Sequence, residues 1–540
     1  ANIDSTGMRN LTISGELDAA TLDVSGDADI DGALSTDGLT VAGNVSIDGG
    51  TIKLDGNYPT GTRNLAYGNT ALDDGSLSGA DNVAIGHAAL TANTSGASNT
   101  AVGSKSLQAN TTASSSTAVG NCALATSSTG SLNTAVGVSS MRFNTTGSQN
   151  AGFGVNALES NTEGDFNTAV GVSALGANNT ADNNTSVGHS ALAANTTGDK
   201  NTALGTGALA ANTTAGCNTA VGQASLCTNT TGCLNTAVGR QALEVNLTGD
   251  NNTGLGYRAL NANTSADNNT AVGFCSLAAN TTAIQNTAVG VSALKANTTG
   301  VNNSSFGACA LCTATTAARN VSIGSQTMKL TTTGANNTAI GYAALNVNTT
   351  GCQNVGVGCG ALAGNTTGHS NTAAGFNSLL ANTTGTVNQA FGRSSLCSNT
   401  EGDCNSAFGY FSLSSNTTGE CNTALGNSSL AANTTASYNT AAGFKSLTAN
   451  TTGSCNVAFG GSAGEAVTTG AYNTAIGGLS LQSNTTAGNN TAIGAAALRC
   501  TTTGCENTSV GSGSMASNLT GDNNTAVGRY ALNSNTSADN

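Results

Sequence analysis

Proline and tryptophan are close to absent from this chain: of 540 residues one is Pro and none is Trp, and aromatics make up only 4%. A large globular core needs big side chains, and too few exist here to build one. Charged residues are also scarce, at 8%. Disordered chains are usually rich in charge or proline, so that class does not fit either. Fifteen Lys and Arg stand against 28 Asp and Glu, a formal net charge of −13. Residues 1–81 hold −10 of it (13 acidic, 3 basic) and residues 82–540 hold −3 (15 acidic, 12 basic). With no basic patch for a phosphate backbone, nucleic-acid binding is not expected. No run of about 18 apolar residues occurs, so no membrane insertion is expected. The chain opens at Ala1 with neither Met nor a leader, which reads as a removed leader or a fragment.

What is present is Ala, Asn, Thr, Ser, Leu, Val and 71 Gly, a bias that suggests small side chains stacked in rows. The order of these residues is periodic. The pattern Asn82-Val83-Ala84-Ile85-Gly86 returns at 99, 116, 133, 150 and 167, and then at the same spacing as far as 524, giving 27 consecutive units without insertion. Numbered 1 to 17 from Asn82, the consensus is N-T-A-V-G-x-x-A-L-x-x-N-T-T-G-x-x. Position 5 is Gly in all 27 units, position 9 is Leu or Met in 26 (Gly464 is the exception), and position 12 is Asn in 22.

A period of 17 is too short for a helix–turn–helix repeat, which needs about 34 residues. It suits one coil of an all-β β-solenoid. The segment T-A-V-G reads as a short strand, with the large residue at position 4 and the Leu at position 9 as the two inward anchors. The obligatory Gly at position 5 predicts a bend or a positive φ. N-T-T-G reads as a turn, because Asn and Gly tolerate left-handed dihedrals. Stacked at about 4.8 Å per coil, the repeats would make a rod roughly 130 Å long, with ladders of identical side chains. One coil cannot be stable alone, so many must stack. So thin a core favours self-association, and the small residues at positions 3 and 8 would permit close packing within the coil or between chains. Three regions are expected: a β-rich N-terminal shaft or collar over 1–63, a transition coil over 64–81, and the solenoid rod over 82–540. Within the shaft, Thr21–Asp37 and Gly38–Leu54 also align at 17, and Asn57–Gly61, with the single Pro59, is the expected boundary.

The repeat N-T-A-V-G-x-x-A-L resembles the head repeats of trimeric autotransporter adhesins. Its longer form, running on through N-T-T-G, resembles the repeats of phage tail-fibre proteins, marine phages especially; Val24–Gly32 is similar to their shafts. The resemblance implies a β-roll or β-solenoid fibre associated as a homotrimer; the other form of self-association expected is an end-to-end filament, compatible with the last unit closing on a coil boundary. The adhesin repeat is usually shorter than the one in this chain.

Two columns carry candidate chemistry. Of the 15 Cys, pairs flank the N-T-T-G turn at Cys227/Cys233, Cys397/Cys404 and Cys500/Cys505, while Cys404 and Cys421 are neighbours in adjacent coils. These are candidate disulfides, which would imply an oxidising setting; the alternative is Cys as small apolar filler. The position-12 Asn forms a sequon in 20 units: Asn93, Asn110, Asn144, Asn178, Asn195, Asn212, Asn229, Asn246, Asn263, Asn280, Asn297, Asn348, Asn365, Asn382, Asn416, Asn433, Asn450, Asn484, Asn518 and Asn535. Glycans there would sheathe the rod, since a sequon acceptor sits on an exposed loop. The competing reading is an Asn and Thr ladder that needs no sugar.

Catalytic and metal sites are not expected, nor is a cofactor. His87, His189 and His369 lie in distant coils and read as surface residues. Cys309-Ala310-Leu311-Cys312 is a lone C-x-x-C without the further ligands zinc requires. Asp27, Asp29 and Asp31 lack a full calcium-loop pattern. The chain thus reads as a structural fibre, extracellular or on a cell or virion surface, and not as an enzyme. An adhesin or receptor-binding rod touching surface glycans through the variable positions is the alternative. An ice-binding solenoid is the third reading, weakened because the Thr at positions 13 and 14 should point to opposite faces.

Overall fold

A computed structural model describes residues 62–539, so the expected shaft over 1–63, its aligned segments and the Asn57–Gly61 boundary lie outside the described residues apart from 62 and 63. The described residues form an all-β parallel solenoid. Its 28 strands are three residues each, from β1 (Leu65–Tyr67) and β2 (Val83–Ile85) to β28 (Thr525–Val527). Each strand between β1 and β28 pairs in parallel with the strand one coil earlier and the strand one coil later. The register superposes like on like: Thr100 on Thr117, Ala101 on Ala118, Val102 on Val119. The first coil runs over 64–81 and pairs Leu65 with Val83, which makes it slightly longer than the coils that follow.

Hydrogen bonding between coils is not confined to the strands. Around one circuit, Thr100 N donates to Ser116 O, Leu107 N to Ala123 O, Ala109 N to Ala125 O, and Thr111 N to Ser128 O, all in the coil ahead. Gly103 N, Lys105 N and Ser115 N donate to Ile85 O, His87 O and Ala97 O in the coil behind. Backbone groups on the corners thereby bond between coils as those in the strands do.

The interior is built from positions 1, 3, 8, 9, 12 and 15. In one coil these are Asn99, Ala101, Ser106, Leu107, Asn110 and Ala113, each 0% exposed. Leu at position 9 is the inward anchor, as expected. The residue at position 4 is not: Phe153, Val170, Leu204 and Ile340 are 37–47% exposed. A three-residue strand alternates its side chains, so positions 2 and 4 share one face and position 3 takes the other. The narrow space inside one coil holds a Leu opposite an Ala, and the bulky strand residue turns outward. The small residues at positions 3 and 8 serve packing within the coil, where all those at position 3 from Ala84 to Ala526 are buried.

The corners also differ from expectation. Left-handed residues do not occupy N-T-T-G; they stand at positions 7, 9 and 17, as in Lys105, Leu107 and Ser115 with φ of 59°, 48° and 58°. Such a conformation costs a non-glycine residue about 1–2 kcal/mol, and every coil holds it against that cost through its bonds to two neighbours. Position 5 is as predicted. Gly273 has φ of 134°, and a Cβ there would lie 2.6 Å from the carbonyl oxygen of Gly290 in the next coil. Only glycine satisfies both the dihedral and the close approach.

Candidate functional site

The strongest candidate column in the sequence, the position-12 Asn, faces the interior. Nineteen of the 20 sequon asparagines are 0% exposed, Asn535 in the last coil being the exception. Their amides form a ladder. Asn212 Nδ2 donates to Asn195 Oδ1 (2.8 Å) and to Ala215 O (2.9 Å), while its Oδ1 accepts from Asn229 Nδ2 (3.0 Å). Both amide hydrogens are committed and the nitrogen has no path to a glycosyl donor in the folded coil. The expectation of an exposed sugar acceptor is overturned for these nineteen, and the ladder reading holds. The physical reason is that a buried amide stacked at one coil spacing can satisfy all of its polar atoms.

The ladder has breaks, and buried atoms are orphaned there. Where position 12 changes to Ser127, Ala314 or Val467, the Oδ1 of Asn110, Asn297 or Asn450 in the coil before loses its donor. Thr331 Oγ1, in the coil after Ala314, has no partner either. Val467 has its own explanation: it packs beside Gly464, 3.5 Å from where a Cβ would stand, filling the space left by the missing position-9 leucine.

A second buried ladder was missed in the sequence. Position 1 is Asn in 26 of 27 units, a signal as strong as that of position 12. Asn82 Oδ1 accepts from Asn99 N (2.9 Å), and Asn82 Nδ2 donates to Gly96 O (2.9 Å). A third column, the position-13 threonines, adds hydroxyl donors to the next coil, as in Thr94 Oγ1 to Thr111 O at 3.0 Å.

All 15 cysteines are free thiols, and each is half-buried or exposed. The expected bridges are therefore not formed at Cys227/Cys233, Cys397/Cys404, Cys500/Cys505 or Cys404/Cys421. Several of these sulfurs engage the backbone instead: Cys233 Sγ donates to Thr231 O, Cys505 Sγ to Thr503 O, and Cys397 Sγ to Ser414 O. Burial, with Glu244 adding, pushes the Cys227 thiol up from its ordinary value. Desolvation does the same to Cys421, with Cys404 and Glu420 adding. Both effects disfavour the thiolate, the reactive and metal-binding form. Cys309 and Cys312 lie side by side in an open hollow of about 570 Å³ that Lys295 also lines. Burial raises the Cys312 thiol, Cys309 adds to this, and Lys329 opposes it. His87, His189 and His369 are exposed. Among the described residues no group of three His, Cys, Asp or Glu is placed to hold a metal ion, and no helix is long and apolar enough to cross a membrane.

The outer strand face is the remaining feature. Its position-4 residues form an apolar column, and at one place the rings of Phe391 and Phe408 stack with centroids 4.9 Å apart and planes at 5°. Beside them the Arg393 guanidinium lies between Phe376 and Tyr410, 5.7 Å from each ring centroid. No protein-family model matches the chain, and no curated protein matches it. The arrangement is therefore read on its own terms: a stack of near-identical coils, locked inside by amide and hydroxyl ladders, with an apolar column along the outside.

Proposed function

We propose that the chain is a structural fibre: a stiff rod serving reach and spacing outside a cell or on a virus particle. The observation that supports this reading is the unbroken like-on-like stacking of 28 strands. A helical or flexible linker bends where contacts are few, whereas the coils here are tied to their neighbours by backbone bonds throughout and, over most of the stack, by two Asn ladders and a Thr ladder. Stability in such a stack is the sum of coil and interface terms, so length is gained by repetition without a new core. The reading needs no sugar on the position-12 asparagines, nineteen of which are buried inside the coil. No chemical step is assigned to it. Immunogold labelling of the source particle or cell with antibody to the repeat tests this reading. Label on thin surface projections is expected; label confined to the interior would end it.

Receptor contact is the second reading, favoured by the exposed aromatics Phe166, Tyr438 and Tyr472 at position 17, which are 52–65% exposed. Loss of binding to a cell surface on Tyr438→Ser with Tyr472→Ser would support it.

A further inference from the structure

The outer strand face has a constant chemistry from end to end. Position 4 is apolar in all 27 units, and neither position 2 nor position 4 carries a charged residue in any of them. Twenty-eight strands at about 4.8 Å, over a width of about 10 Å, give an outward ribbon of roughly 1,300 Å² per chain. The position-4 column makes about half of this area apolar, and the position-2 column beside it is mainly Thr. A stable interface buries about 800 Å² per partner, and the ribbon as a whole exceeds that.

Charge on the two sides of the ribbon is sorted by sign. On the side where the chain enters the strand, positions 16 and 17 hold ten acidic residues, among them Asp165, Asp182, Asp199 and Asp250, against two basic. On the side where it leaves, positions 6 and 7 hold Lys105, Arg240, Arg258, Arg393, Lys445 and Arg529 and no acidic residue. We propose that the ribbon is the seam along which a second copy of this chain lies, parallel to the first and in register. Only a partner with the same rise per coil can follow the ribbon along its whole length, and another copy has that rise by construction. The charge layout then selects the direction. A half-turn about an axis along the rod lays the acidic edge of one copy against the basic edge of the other. An antiparallel partner would set acid against acid and base against base, over distances within the screening length of about 8–10 Å. The stacked Phe391 and Phe408, with Arg393 between Phe376 and Tyr410, supply the aromatic and Arg anchors that dominate association energy. The inference rests on the outward face alone and would survive a receptor-binding role for the rod.

Sedimentation of the full chain at micromolar concentration tests the seam. A mass of twice 52.3 kDa is expected, and a single-chain mass would overturn the proposal. The variant V272K/V289K places like charges opposite each other at the same height and should return the mass to one chain. Its far-UV circular dichroism should be unchanged, because both side chains point outward. T282K/T299K, on exposed positions of another face, should leave the assembly intact. If V272K/V289K assembles like the parent, the seam lies elsewhere. Electron microscopy with a gold label at the N-terminus reads direction: two labels at one end are expected, and labels at opposite ends would overturn the parallel arrangement. A monomeric parent that slows ice recrystallisation would assign the ribbon to water and overturn the seam.

Discussion

Replacing Ala314 by Asn should make the rod more stable, although the substitution puts a polar side chain at a fully buried site. The site is already shaped for it. Ala314 N donates to Leu311 O at 3.2 Å, as Asn297 N does to Leu294 O at 3.1 Å one coil earlier, so the backbone is that of an Asn coil. The amide introduced by Ala314→Asn would reach Asn297 Oδ1 and Ala317 O with its two hydrogens, as Asn212 reaches Asn195 and Ala215. Its own Oδ1 would face Thr331 Oγ1. Two atoms now without a partner, Asn297 Oδ1 and Thr331 Oγ1, would gain one. Leaving a buried polar group unsatisfied costs about 1–3 kcal/mol, and ordering the new side chain costs up to about 1–2 kcal/mol. The net gain is about 1–3 kcal/mol, or a roughly 5- to 150-fold slowing of local opening. Hydrogen exchange followed by mass spectrometry on peptides spanning 294–331 reads this directly, and coils ten or more removed should not change, because coupling runs between neighbours. Unchanged or faster exchange would refute the reasoning. Val467 is not an equivalent site, since it fills the space beside Gly464.

Three further outcomes follow from the same coil. Gly273→Ala should open the coils around it by about 3 kcal/mol or more, as its Cβ meets the Gly290 carbonyl and its φ is one only glycine adopts; wild-type urea stability would contradict this. Leu277→Ala should cost about 2–5 kcal/mol, whereas Val272→Ser at the half-buried position 4 of the same coil should cost clearly less in the separated chain, and equal losses would place position 4 inside. Peptide mass mapping should find no sugar on the nineteen buried position-12 asparagines, and alkylation after denaturation without reductant should label fifteen thiols; sugar on that column or missing thiols would contradict the buried ladder and the free cysteines in turn.

The period, the all-β class, the strand at positions 2–4, the inward Leu and the positive-φ Gly were legible in the sequence, because each depends on local geometry repeated 27 times. The facing of position 4 was not. In a strand as short as Thr100–Val102, alternation shows that two residues share a face but not which face is buried. Size argued for Val102 inside, and the narrow coil reversed that choice in favour of Ala101. The choice between sugar acceptor and ladder at position 12 stayed open in the sequence for a related reason. N-x-T is the same string whether the amide meets sugar or the next amide, and only the stacking at one-coil spacing decides. The position-1 ladder was present as a nearly invariant Asn, but an Asn preceding a strand looks like turn chemistry until Asn99 N is seen bonding Asn82 Oδ1. The charge edges were invisible in the net charge of −13, because they appear only when residues are sorted by position in the coil.

Cryo-electron microscopy of the repeat rod, at a resolution that separates coils, tests the central claim most directly. The account predicts a rise of about 4.8 Å per coil, with density for the position-9 leucines and both Asn columns inside and for the position-4 column outside. A different residue count per coil, or position-4 side chains pointing into the interior, would contradict it.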